Sequence, residues 1–263
     1  MDFIQVSGKK YLVTGVANKK SVAFFVARSL IDNGAEAIFS VQNEENRLKA
    51  QKLFPDSTIL ICDVERDESI RQLSEYFMNR NIRLSGFVHS IAFANYSEGL
   101  KPFHETKTDD FLQATNISCF SLVTMANALK NSFEEKASIV TISISNTRAT
   151  AYGYMGPIKA ALDATVAFLA KSLSEISKVR VNAVCAGPLK TSASAGIPGY
   201  VNNYLFAEQL TLRKEALKTE EVANTVIFLL SPVSSGINAT GIVVDAGMSC
   251  NYFDQKIVTL ATR

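Results

Sequence analysis

Short runs of apolar and β-branched residues alternate with helical stretches from one end of the chain to the other, and that alternation leaves few folds open. Strands are predicted at residues 10–15, 37–41, 58–62, 86–90, 138–144, 179–185 and 241–245. Helices are predicted at 21–33, 44–53, 67–78, 108–131, 154–176 and 219–230. Strands separated by helical segments imply βαβ units and a parallel sheet. Continuous apolar stretches such as Gly86-Phe87-Val88 and Ile139-Val140 suit strands covered on both faces. The expected fold is therefore α/β, a doubly wound parallel sheet of about seven strands forming one domain over residues 1–263. Nothing marks a linker or an internal repeat. One long irregular stretch, 189 to about 202, is rich in Ser, Ala and Gly and follows the sixth strand. At the carboxyl edge of the sheet, where such folds bind ligands, it is expected to form a flexible substrate lid.

Composition narrows the partners. Apolar residues make up 47% and charged residues 20%, enough apolar material for a sizeable core. Net charge is +2 with both signs interspersed, so no footprint for nucleic acid is expected. No apolar run reaches the ~18 residues that would span a bilayer, and Met1-Asp2-Phe3-Ile4-Gln5 lacks the flank of a signal peptide. Cys62, Cys119, Cys185 and Cys250 lie far apart, the first three in apolar stretches, which fits a reducing compartment and a cytoplasmic location. With only His89 and His104, neither a metal site nor a Ser-His-Asp triad is expected.

Three constellations carry chemistry. Gly15-Val16-Ala17-Asn18-Lys19-Lys20-Ser21-Val22-Ala23 follows the first strand and opens a helix, whose unpaired N–H groups suit a pyrophosphate. Only Gly15 is glycine, so an ordinary βα turn with Ser21 near the helix start fits the residues equally well. At the end of the second strand stands Gln42, where an acid suits NAD and an arginine suits the 2′-phosphate of NADP. Gln42 can bond a hydroxyl but offers no positive charge, which favours NADH over NADPH. Asp63-Val64 follows the third strand and Ser90-Ile91-Ala92-Phe93-Ala94 the fourth; small residues there leave room for a flat ring, or equally for a crowded core. The third constellation is Tyr152 and Lys159, with Asn116 upstream. Seven positions turn a helix by about 700°, so phenol and ammonium would share one face. Gly153, Gly156 and Pro157 leave open that the helix starts after Tyr152. A nearby lysine is expected to lower the phenol's pKa and to hold ribose hydroxyls. A surface tyrosine beside a snorkelling lysine is the alternative.

Taken in order, these stretches resemble the enoyl-acyl carrier protein reductases of bacterial fatty-acid synthesis, a divergent branch of the short-chain dehydrogenases/reductases. The resemblance runs from about Gly8 to Asp245 and rests on Gly15-x5-Ser21-Val22-Ala23, His89-Ser90-Ile91-Ala92-Phe93-Ala94, Tyr152-x6-Lys159, Ala186-Gly187-Pro188-Leu189-Lys190-Thr191 and Asp245-Ala246-Gly247. It implies a Rossmann-like sheet, a homotetramer, NADH as cofactor and enoyl chains on acyl carrier protein as substrate. Carried over, it makes Tyr152 the stabiliser of the enolate oxygen and Lys159 the grip on the nicotinamide ribose. Gly15, Ser21 and Val22 would line the pyrophosphate, Gln42 the adenosine ribose, and Asp63 and Val64 the adenine. Ile91, Leu189, Lys190, Thr191, Ser192 and Ala193 would hold the nicotinamide side, and Ala94 would touch the acyl group. Many members carry a second tyrosine shortly after the fifth strand; here Ile142-Ser143-Ile144-Ser145 has none, and Pro157 between Tyr152 and Lys159 is unusual.

The expected reaction is reduction of the carbon–carbon double bond of a trans-2-enoyl thioester. A ketoreductase or alcohol dehydrogenase on the same scaffold is the alternative enzyme, and a dinucleotide sensor without catalysis the alternative from another class. Carbonyl reduction needs a phenol one helical turn before the lysine, but position 155 is methionine, which cannot donate a hydrogen bond. Conjugate reduction places the developing negative charge farther from the hydride acceptor, where Tyr152 would stand.

Overall fold

A computed structural model describes residues 3–191, 194 and 197–262. Seven parallel strands form one sheet: β1 (Lys10–Thr14), β2 (Glu36–Val41), β3 (Ile59–Ile61), β4 (Leu84–His89), β5 (Phe133–Ile144), β6 (Arg180–Ala186) and β7 (Gly241–Val244). Their order in space is β3-β2-β1-β4-β5-β6-β7. The chain winds outward one way from β1 and the other way from β4, so the order reverses between them. A doubly wound sheet opens its ligand crevice at that point, outside the carboxyl ends of the strands.

The strand sequences follow from double-sided cover. Every residue of β4 and β6 is buried, and β1 is buried after Lys10. One layer holds α1 (Val22–Asp32) and α8 (Thr219–Leu230), whose Val26, Leu30, Val226 and Leu230 pack with Val13, Val88 and Val184 of the sheet. The other holds α3 (Asp67–Asn79), α5 (Ser121–Leu129) and α6 (Met155–Leu173), whose Phe77, Leu122 and Leu162 pack with Phe87 and Ile139. A further helix, α2 (Glu44–Leu53), follows β2. Burying a side chain of this size is worth about 2 kcal/mol, so these two seams hold the layers on the sheet.

Three elements depart from the sequence expectation. The helix expected over 108–131 is broken into α4 (Thr108–Thr115), a π turn at Asn116–Phe120, and α5. The wider turn buries Ile117, Ser118 and Cys119 but leaves Asn116 exposed. Two helices were not expected: α7 (Tyr200–Leu210) and α9 (Gln255–Ala261). Both bury almost nothing, Ala207 alone in α7, so no apolar stripe announces them. In α9 the Asp254 carboxylate caps the N-terminus by accepting from Lys256 N at 3.1 Å and Ile257 N at 3.3 Å. Among the described residues no helix is long and apolar enough to cross a membrane.

Candidate active site

Thr14, at the end of β1, donates its hydroxyl to Val88 O at 3.0 Å and accepts from Ser90 N at 3.1 Å. This buried hydroxyl ties β1 to β4 where the order reverses and brings Gly15 against Ser90. Gly15 has φ +80°, and a Cβ there would lie 1.8 Å from Ser90 O. Only glycine meets both demands. From Gly15 the chain turns into α1, where Ser21 is the N-cap and its side chain accepts from Phe24 N at 3.2 Å. Capping by Ser21 is compatible with a phosphate at this turn, because the remaining amides of the first turn are unpaired within the helix.

A cleft of about 710 Å³ runs along these carboxyl ends. Gly15, Ser21, Val22, Gln42, Asp63 and Val64 line one end; Ile91, Ala94, Tyr152, Lys159, Leu189 and Thr191 line the other. The structure therefore brings together nearly all the residues singled out in the sequence. Lys190 is the exception, because it faces a separate depression with Lys19, Lys20 and Lys218. Ser192 and Ala193 lie outside the described residues. Asn116, on the π turn, is exposed and is not among the residues that line the cleft.

Tyr152 and Lys159 do not share a helix face. Tyr152 ends a 3₁₀ turn, Thr150–Tyr152, and α6 starts only at Met155. Between them Gly153 adopts φ 62°, ψ −150°, a conformation essentially reserved for glycine. Pro157 is no disruption: it falls in the first turn of α6, where backbone N–H groups have no partner within the helix. Tyr152 still points into the cleft, and among the described residues its hydroxyl has no hydrogen-bond partner. Burial, with Tyr200 facing it, pushes its pKa up to about 12. The expected lowering by Lys159 is thus overturned; at neutral pH the phenol is a protonated donor.

Lys159 is buried, 4% exposed, and burial pulls its pKa down to about 8. Its ammonium donates to Ile142 O at 2.8 Å. Two of its three N–H groups remain for a ligand. His89 lies buried nearby, bonded to Thr141 Oγ1 at 2.9 Å and Ser121 Oγ at 2.8 Å. Burial and the facing ammonium hold its pKa near 3, so it is neutral structure rather than an acid–base group.

Tyr154, five positions before Lys159, is buried outside the cleft lining and its hydroxyl donates to Asn95 O at 3.0 Å. Two residues of the cleft carried no signal in the sequence. Tyr96 lines the cleft, its hydroxyl 3.4 Å from Tyr152 O and its ring tilted on Tyr154. Tyr200, at the start of α7, lines the cleft and accepts from Leu189 N at 2.9 Å. Each comes from a loop or a helix start, where no periodicity points to the cleft. The backbone of Phe93 is pinned by Ser118 Oγ, which accepts from its N at 2.8 Å and donates to its O at 2.9 Å. Ile142, Ser143 and Ile144 line the wall where the sequence lacks a second tyrosine.

The residues present fit a bound dinucleotide. A glycine with no room for a Cβ lies beside an open helix start, neutral Gln42 at the end of β2, and a lysine with two unused donors at the far end. The chain is similar to known proteins of one kind. Residues 15–249 match the family described as enoyl-(acyl carrier protein) reductase. The NADH-dependent enoyl-[acyl-carrier-protein] reductase of Enterococcus faecalis is 36% identical over 246 residues, covering 92% of this chain and 98% of that one. The NADPH-dependent enzyme of Staphylococcus aureus strain MRSA252 is 34% identical over 251 residues, covering 93% and 98%. The crystal structure of the Bacillus cereus reductase, with NADP+ and an indole naphthyridinone, superposes with a TM-score of 0.87 at 34% identity, covering 92% of this chain and 96% of that one. Fold, cleft and relatives agree: the chain belongs to the enoyl-acyl carrier protein reductase family.

Proposed function

We propose that this chain reduces the double bond of trans-2-enoyl thioesters carried on acyl carrier protein, using NADH, in cytoplasmic fatty-acid elongation. The observation that carries the reaction type is the placement of donors around Lys159. Met155, one turn before the lysine, is buried and lines the cleft with no proton to give, while Tyr152, displaced beyond Gly153, offers an unpaired hydroxyl. That geometry suits an oxygen three bonds removed from the carbon that accepts hydride.

When bound, the reduced nicotinamide supplies the hydride. Lys159 holds the ribose with the two N–H groups that Ile142 O leaves unused. Gly15, Ser21 and Val22 take the pyrophosphate, Gln42 the adenosine ribose, Asp63 and Val64 the adenine, and Ile91, Leu189 and Thr191 the nicotinamide side. Tyr152 donates to the thioester oxygen as negative charge develops there; a donor of this kind is worth roughly 3 kcal/mol in the transition state. Its high pKa keeps the proton on the phenol until that oxygen needs it. Ala94 and Tyr96 face the acyl chain. Residues 189–202 act as the lid, a role supported by Leu189, Thr191, Ile197 and Tyr200 lining the cleft.

A homotetramer is supported by unpartnered apolar surface. Phe168 is 79% exposed on α6, on a face with exposed Ala160, Ala161, Ala164 and Ala167, and Val243, Tyr252, Phe253 and Leu260 are exposed near the last strand. Helix and sheet faces of this composition fit copies of the same chain. NADH oxidation with a crotonyl thioester tests the activity: wild type turns over and Tyr152→Phe is slower by about 10²–10³. No oxidation above the thioester-free rate would refute it.

A further inference from the structure

Lys159 is a buried cation whose hydrogen-bond partner is a neutral carbonyl, Ile142 O, so a charge has to be balanced from elsewhere. The groups around it are few. From β4, His89 faces it and is neutral. From the π turn comes Cys119 and from β6 comes Cys185, both thiols pushed up by burial and uncharged at neutral pH. From its own helix comes Asp163, one turn on and on the same face. Asp163 is the only acid among them. Its Oδ1 is buried and faces Ser143 Oγ of β5, whose hydroxyl draws the Asp163 pKa down, although the approach falls short of good hydrogen-bond geometry for either atom. A buried carboxylate held this loosely is costly, and keeping one beside a buried ammonium calls for a reason.

Resting on the reading that Lys159 grips the cofactor, we propose that Asp163 is a positioning residue that holds Lys159 as an ammonium from behind, without occupying the N–H groups the ribose needs. The two side chains form no ion pair within 4.0 Å among the described residues, so the carboxylate acts by its field through a low-dielectric interior. A direct salt bridge would consume a donor and turn the ammonium from the cleft. A neutral residue would let burial strip the proton at lower pH. The electrostatics agree: Asp163 is the largest influence raising the Lys159 pKa against burial, while burial pushes the Asp163 pKa up and Ser143, then Lys159, draw it down.

The test is NADH affinity of the whole protein across pH 6–9, read by NADH fluorescence without any acyl substrate. Wild type should lose affinity as pH rises through about 8, where Lys159 loses its proton. In Asp163→Asn that loss should move to lower pH, giving about tenfold weaker binding at pH 8 but within about twofold of wild type at pH 6. If Asn fails to fold, Asp163→Glu and Asp163→Gln make the same comparison at matched size, with Glu keeping the wild-type profile and Gln shifting it. A neutral variant whose profile superposes on wild type, or is weakened equally at every pH, overturns the proposal. Wild type that binds no NADH, or whose affinity is untouched by Lys159→Ala, instead overturns the underlying reading of the cleft.

Discussion

Tyr154 donates its hydroxyl to the main-chain carbonyl of Asn95 at 3.0 Å, which removes from the chemistry the phenol nearest to Lys159 in sequence. Tyr152, two positions earlier, keeps its hydroxyl unpaired in the cleft. Tyr152→Phe should therefore lower kcat by about 10²–10³ with NADH affinity within about twofold of wild type. Tyr154→Phe should cost about 1 kcal/mol of stability, the worth of one hydrogen bond, and change kcat by less than about threefold. Steady-state kinetics and thermal melts on the two variants separate the roles; an essential Tyr154 would reverse the assignment.

Lys159 carries a stability cost that its function explains. Its folded pKa of about 8 lies below the ordinary lysine value of 10.5, so folding disfavours the charged form by roughly 3 kcal/mol. The sign follows from linkage: the penalty is present in full below pH 8 and is relieved as pH rises from 8 to 10.5. Lys159→Met should raise the Tm of the cofactor-free protein by a few degrees at pH 7, with the gain shrinking towards pH 10, while abolishing NADH binding. Calorimetry at both pH values checks this; a destabilised variant at pH 7 would mean that what Asp163 and Ile142 O lose with the ammonium outweighs the burial penalty it carries.

Much of this was legible in the chain. The alternation of strands and helices gave the sheet, because doubly covered strands must be continuously apolar, as β4 and β6 are. Gly15, Gln42, Asp63 and Ile91 could be placed because each directly follows a strand, and strand ends in this topology converge on one crevice. The Tyr152–Lys159 pairing was found for a reason only half right: both reach the cleft, but across the Gly153 turn rather than along one helix. The π turn that carries Asn116 is invisible to a 3.6-residue period. Lys190 sits among alternating cleft and surface residues, so its neighbours Leu189 and Thr191 face in while it faces out. Tyr96 and Asp163 needed coordinates, since their meaning lies in which atoms they approach.

At the adenosine end, Gln42 lines the cleft with Asn46 and without an arginine or lysine among the lining residues there. A 2′-phosphate would lie beside neutral amides, so kcat/KM should be higher with NADH than with NADPH. Gln42→Arg should raise kcat/KM for NADPH by about tenfold, the value of a charge-assisted pair to phosphate. Relatives of both cofactor types make this comparison decisive for this chain. An NADPH preference in the wild type would remove Gln42 from the specificity role.

Gly15 is the tightest point of the crevice. Gly15→Ala would put a methyl 1.8 Å from Ser90 O on a backbone at φ +80°, so it should cost about 3 kcal/mol or more and part β1 from β4. Denaturant unfolding measures the loss; a variant of wild-type stability would show that the Gly15–Ser90 approach is looser than described.

The measurement that bears most directly on the central claim compares substrates. Purified protein with NADH should oxidise cofactor faster with crotonyl and dodecenoyl thioesters than with acetoacetyl thioester, because the proposed reaction uses Tyr152, beyond the Gly153 turn, as its donor, and Met155, one turn before Lys159, has none to offer a ketone. Faster oxidation with the acetoacetyl thioester would contradict that account and assign the cleft to carbonyl reduction.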